Sequence, residues 1–309
     1  MTFKLRLLLA ALLCSLLPVP ARALEPGEEL ALAVAPYLDD QAVFVAHIDL
    51  ARADLAAIER FLVAAVQPPN PRTAATVAEG LAPLRAGVDA LKKARARNLY
   101  VVVSLADFPS EPPLIVPVPD GADARAIAAC FPNARQIGAA VVGADPGVLD
   151  RLAALKPARR PELSRAFAAA GDVAARGALL PTPDNRKVIE QLLPTLPAAI
   201  GGGPSATLTR GLGWAAVGVT LQPAPAVTFT IQSESPERAG PLRALIARSL
   251  ALLAALPEAR PFIPDPEKFI PALAGDRLTL TLDAAMLKAL AAPLFADPSR
   301  APSSAPAPK

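Results

Sequence analysis

His47 and Asp49 stand two residues apart in the run Val43-Phe44-Val45-Ala46-His47-Ile48-Asp49-Leu50, a spacing that puts both on one side of an extended strand. A carboxylate in that position can orient an imidazole for proton transfer. His47 is the only histidine of the chain, so a Ser-His-Asp triad would have to be built on it. No G-x-S-x-G elbow accompanies it, and the serines fall mainly at helix starts, in loops and near the C-terminus. The simpler reading has Asp49 capping the turn after the strand and His47 packed inside. No catalytic residue is assigned.

Cys130 is the one cysteine beyond the N-terminal apolar run that holds Cys14, so no disulfide can form within the rest of the chain. Beside Phe131 and with no basic neighbour to stabilise a thiolate, it reads as a small hydrophobe at the end of an Ala-rich helix. One histidine and one cysteine cannot supply the usual zinc or copper sets, and Asp39-Asp40 or Asp120 with Asp123 lack the alternation of a calcium loop. Phosphate cradles are missing too, since Gly201-Gly202-Gly203-Pro204-Ser205 has no lysine after it and Gly211-Leu212-Gly213 precedes a strand. No metal and no cofactor is expected.

Side-chain alternation offers a ligand surface instead. Val227, Phe229 and Ile231 with Leu278, Leu280 and Leu282 form one side of a strand pair, and Thr228, Thr230 and Gln232 with Arg277, Thr279 and Thr281 form the other. Trp214 joins that second side if its strand keeps register. Hydroxyls, an amide, a guanidinium and an indole on one sheet face could hold a glycan or a peptide strand. A solvated antiparallel face rich in threonine is the competing reading.

These residues must be positioned by strands and helices that follow each other twice in the same order. The first pass has strand Val43 to Asp49, helices from Asp54 to Val66 and Pro71 to Arg95, strands Leu99 to Leu105 and Leu114 to Val118, a helix from Ala122 to Cys130, and short strand segments between Arg135 and Val142. Helices Pro146 to Leu155 and Glu162 to Ala170 lead into the second pass. It contains strand Val173 to Leu180, helix Pro183 to Leu193, strands Gly213 to Leu221 and Val227 to Gln232, helix Pro236 to Leu256, strand Arg277 to Leu282 and helix Ala284 to Leu294. The fold class expected is α+β, with two tandem ferredoxin-like (β-α-β-β-α-β) repeats over 42–157 and 158–295, mainly antiparallel sheets and helices on one face. Both faces of the first repeat's strands are apolar, so the two units are expected to pack. Asn70-Pro71, Asp145-Pro146, Thr182-Pro183, Ser235-Pro236 and Asp265-Pro266 mark helix starts. Pro223-Ala224-Pro225 suits a hairpin.

At the N-terminus, Lys4 and Arg6 precede an apolar run from Leu7 to Leu17 that is too short to span a bilayer, and Ala21-Arg22-Ala23 offers small residues for cleavage. Residues 1–23 therefore read as a signal peptide, 24–41 as an N-terminal lead and 296–309 as a disordered Pro/Ala/Ser tail. Lys4, Arg6 and Arg22 account for the formal charge of +3, and the chain after Ala23 is balanced. Without a net positive field, nucleic acid is excluded as a partner. Where the strand 43–50 runs at once into an amphipathic helix, the chain resembles the opening of a group of uncharacterised exported bacterial proteins, which implies no activity and no site residues. The function expected is an exported, non-catalytic binding or envelope-assembly protein with an unknown protein or glycan partner. A secreted hydrolase using an acidic pair from separate loops is the alternative.

Overall fold

The computed structural model describes residues 26–65 and 71–295. The segment read as a signal peptide, Asn70 of one helix-start pair and the segment read as a C-terminal tail lie outside the described residues. In chain order the elements are α1 (Pro26–Val34), β1 (Ala42–Asp49), α2 (Leu55–Ala65), α3 (Pro71–Lys93), β2 (Asn98–Ser104), β3 (Leu114–Pro117), α4 (Ala124–Ala128), β4 (Ala134–Ile137), β5 (Ala140–Gly143) and α5 (Pro146–Ala153). There follow α6 (Pro161–Ala170), β6 (Ala175–Leu179), α7 (Pro183–Leu192), α8 (Ala206–Thr209), β7 (Trp214–Thr220), β8 (Ala226–Gln232), α9 (Pro236–Ala255), β9 (Ala272–Ala274), β10 (Arg277–Leu282) and α10 (Ala284–Ala291).

β-Branched and aromatic residues are concentrated in β1, β2, β3, β7 and β8, and each strand pairs antiparallel with its neighbour in one 10-stranded sheet of order β4-β5-β3-β2-β1-β6-β7-β8-β10-β9. The junction is the β1–β6 pair, where His47 faces Arg176 and Val45 faces Ala178. Outward from it the strands run β1-β2-β3-β5-β4 on one side and β6-β7-β8-β10-β9 on the other. The α+β class holds, but the ferredoxin-like arrangement does not. A split β-α-β unit inserts a third strand between the two strands that its helix connects, whereas here β1 and β2, joined through α2 and α3, pair directly and antiparallel, and β6 and β7 do the same. The two halves meet edge to edge in one sheet.

Helices cover both faces rather than one, a second correction with a plain cause: the central strands are apolar on both sides, and each side has to be taken out of water. On one face α1, α5 and α6 bury Val45, Tyr100, Val102, Ile115, Ala178 and Ala216. On the other, α2, α3 and α4 pack over Ile48, Leu99, Val116 and Val141, and α9 packs over Ile231 and Leu278. The segment read as a lead supplies α1, which lies against α6 so closely that a Cβ on Gly27 would stand 2.7 Å from the Ala168 nitrogen.

Of the described helix-start pairs, Thr182 caps as expected, accepting from the Asn185 amide at 3.1 Å. Asp145, Ser235 and Asp265 make no side-chain cap bond, so there the fixed φ of the following proline sets the start. Pro223 to Pro225 joins the antiparallel β7 and β8 as a hairpin. Among the described residues no helix is long and apolar enough to cross a membrane.

Candidate functional site

Cross-strand register turns the candidate residues into a grid. Trp214 of β7 faces Gln232 of β8, which faces Arg277 of β10; Ala216, Thr230 and Thr279 form the next row, and Gly218, Thr228 and Thr281 the one after. All seven proposed ligand contacts therefore share one face, the face that α6 partly covers. The helix sits tight on β7 here, since a Cβ on Gly218 would meet the Ala170 carbonyl oxygen at 2.3 Å. Thr230 is buried beneath this layer and cannot meet a ligand. Thr228 and Thr281 share a hydrogen bond at 3.3 Å, and Thr281 is exposed.

The first row opens into a cleft. Two adjoining hollows share Arg165, Trp214 and Gln232, the larger with a volume of about 820 Å³ between α6, α7 and the ends of β7 and β8. Six basic and four acidic side chains line them. Three of the acids are spoken for. Glu162 accepts from Arg160 Nε at 2.6 Å, Glu190 holds Arg210 through a fork with both contacts at 3.1 Å, and Glu234 is clasped by Arg186 and Arg238. The Arg210 bonds, followed by the Thr209 hydroxyl, hold the Glu190 carboxyl below its usual range. Arg165 from α6 and Arg277 from β10 are exposed and have no acidic partner among the described residues. Behind them lie two unpartnered buried donors, the Arg186 Nε and the hydroxyl of Ser233, a residue 2% exposed. Trp214, at 4% exposure, forms the floor. A cleft with surplus guanidinium forks and free hydrogen-bond donors is suited to an oxyanion.

Sequence reasoning found Trp214, Gln232 and Arg277 of this cleft and missed Arg165, Arg186 and Ser233. Arg165 left one signal: it is the one basic residue of its helix, exposed between the buried Leu163 and Phe167. Ser233 directly follows β8 and had no pattern to mark it.

His47 is buried, and its partner is Asn98 Oδ1 at 2.9 Å rather than Asp49. That oxygen can only accept, so Nε2 carries the proton, while Nδ1 is buried without a partner. Burial is the main cause holding the imidazole below its ordinary value, against the Asn98 bond. Asp49 accepts from the Ala51 and Arg52 amides at 2.9 and 3.3 Å, closing the turn. Cys130 is half-buried, gives its thiol to the Ala126 carbonyl at 3.4 Å, and is pushed up by burial.

Two acids from separate segments meet in the core, and Asp54, Asp89 and Asp172 line a hollow of about 730 Å³ beside Arg52, Arg85 and Lys92. Asp39 and Asp107 are buried on either side of Arg151, which reaches Asp39 at 2.5 Å and grips Asp107 through Nε at 2.6 Å and Nη2 at 2.5 Å; Ser104 Oγ bonds both Asp39 oxygens. Both carboxylates are consumed by structure. Among the described residues, no three or more His, Cys, Asp or Glu side chains gather as a metal site.

No protein-family model matches the chain, and no curated protein does. Among solved structures the chain is similar to crystal form I of TP0453, at 13% identity over 85% of this chain and 97% of that one, with a TM-score of 0.36. At that likeness no function passes from one protein to the other.

Proposed function

We propose that this is an exported, non-catalytic binding protein whose cleft at Trp214, Gln232 and Arg277 takes a ligand bearing a carboxylate or phosphate. The observation that carries the reading is the pair of unpartnered guanidiniums, Arg165 and Arg277, over a floor whose remaining acids are mostly paired. Binding is favoured over hydrolysis because the buried acids that meet across segments, Asp39 and Asp107, are both gripped by Arg151. In the hollow beside Arg52, the Asp54 and Asp172 carboxyls are held below their usual range, chiefly by hydrogen bonds from the Ala57 amide and from Arg52, where a general acid needs a raised value. Export rests on the basic and apolar N-terminal run ending at Ala21-Arg22-Ala23.

We further propose that the two halves come from one duplicated module. The matching strand orders on either side of the β1–β6 junction support this, as do the helix that precedes each inner strand and the helix that follows each outer hairpin. Duplication followed by divergence leaves one half free to gain a charged cleft.

Calorimetric titration with an acidic trisaccharide carrying three carboxylates, against a neutral trisaccharide of equal size, tests the binding reading. Saturable binding of the acidic sugar alone, weakening as salt rises, is the expected result. Equal or absent binding of both sugars rejects it.

A further inference from the structure

In the first half, the same corner of the sheet is also open, and its chemistry is different. A hollow of about 530 Å³ lies between α1, α5 and the ends of β2 and β3, a volume typical of small-molecule sites, which run from roughly 300 to 1,000 Å³. Tyr37, Leu152 and Ala140, all buried, make its floor, and Leu32, more than half exposed, stands at its rim. Tyr37 spends its hydroxyl on the Ile137 carbonyl at 2.8 Å, so it shows the hollow a ring. Only two lining side chains keep free donors. Arg97 is exposed and has no acidic partner among the described residues, and Asn98, whose carbonyl oxygen is taken by His47, retains its amide N–H groups. Everything else that lines it is apolar or backbone.

We infer that this hollow is a second ligand site, for a carboxylic acid with an apolar body. The body displaces water from Tyr37, Leu152 and the rim, and the carboxylate pairs with Arg97 beside the Asn98 amide. Charge complementarity selects the head: a lone guanidinium at the mouth of an otherwise apolar hollow is matched by one anionic group and no more. The inference stands apart from the cleft at Trp214, which lies in the other half and is lined mostly by charged and polar side chains.

Titration of the full chain with dodecanoate below its micelle concentration tests it, with dodecanol as the uncharged control. Saturable one-site binding of dodecanoate is expected, with Arg97→Gln weakening it roughly ten- to a hundred-fold, the scale of one charge-assisted hydrogen bond. Ala139→Trp, placed in an exposed turn that lines the hollow, should abolish binding while circular dichroism shows the fold intact. Arg165→Ala/Arg277→Ala should leave dodecanoate binding unchanged, so failure at one site is told apart from failure at the other. Dodecanol binding as tightly as dodecanoate, non-saturable uptake, or indifference to both Arg97→Gln and Ala139→Trp would overturn the inference.

Discussion

Arg165 and Arg277 converge on one hollow from different layers, the first from a helix over the sheet and the second from the sheet beneath it, and neither meets a carboxylate among the described residues. Two like charges sharing a hollow gain nothing for folding. Arg165→Ala and Arg277→Ala should therefore leave the melting temperature within the range of ordinary surface changes, about 0.5 kcal/mol either way, or raise it at low salt. Thermal denaturation at two ionic strengths checks this. A large loss of stability in either variant would mean that the guanidiniums are structural.

Gly27 and Gly80 give a paired test of the α1–α6 contact. A side chain at Gly27 would collide with backbone atoms of α6, 2.8 Å from the Ser164 oxygen, whereas Gly80 in α3 has nothing within 4 Å. Gly27→Val should cost about 1–3 kcal/mol by overpacking, and Gly80→Ala should stabilise by up to about 1 kcal/mol through helix propensity. Urea unfolding of both variants gives the comparison.

Arg151 is the clamp between the segment before β1 and the turn after β2. Removing it in Arg151→Ala strands two buried carboxylates, and a loss of about 3–5 kcal/mol is expected at neutral pH. Arg151→Lys should recover only part, because an ammonium cannot reproduce the two-pronged grip on Asp107. Chemical denaturation of the three proteins measures both steps.

His47 sets an acid-side limit on stability. Its imidazole titrates below the ordinary value of 6.5 because burial disfavours the charged form. The folded state therefore binds fewer protons than the unfolded state in that window, and stability that is full above pH 6.5 is lost as pH falls toward the folded-state value. His47→Phe keeps a ring against Tyr100 and Phe167, whose centroids lie 4.9 and 6.3 Å away, and removes the titration. Its stability should fall less steeply with acidification, as read from denaturation curves at stepped pH.

Export predicts a processed chain. Mass spectrometry of the protein from its own cell should find Leu24 at the N-terminus, and an intact Met1 would refute processing.

Strand alternation was legible wherever one residue in two had to face a helix layer: Arg277–Leu282 has the bounds expected of it, and Trp214 fell into register with Gln232 because β7 and β8 are joined by a tight hairpin. Strand order was not. Nothing local in Phe44 to Ile48 says that β6, more than a hundred residues away, is its second neighbour, since the β1–β6 pair is held by backbone bonds and by packing under α1 and α6. The three-residue β9 is exposed throughout and carries no alternation to read. The cleft was half legible for the same reason. Its sheet residues share a pattern along the chain, whereas Arg165 and Arg186 arrive from helices whose placement over the sheet only the tertiary fold decides.

Trp214 is the chain's only tryptophan, and it floors the cleft, so its fluorescence reports on the central claim without a label. Titrating the acidic trisaccharide should change that emission saturably, and Arg165→Ala/Arg277→Ala should remove the change. Emission that stays flat, or that responds identically in the double variant, contradicts the account.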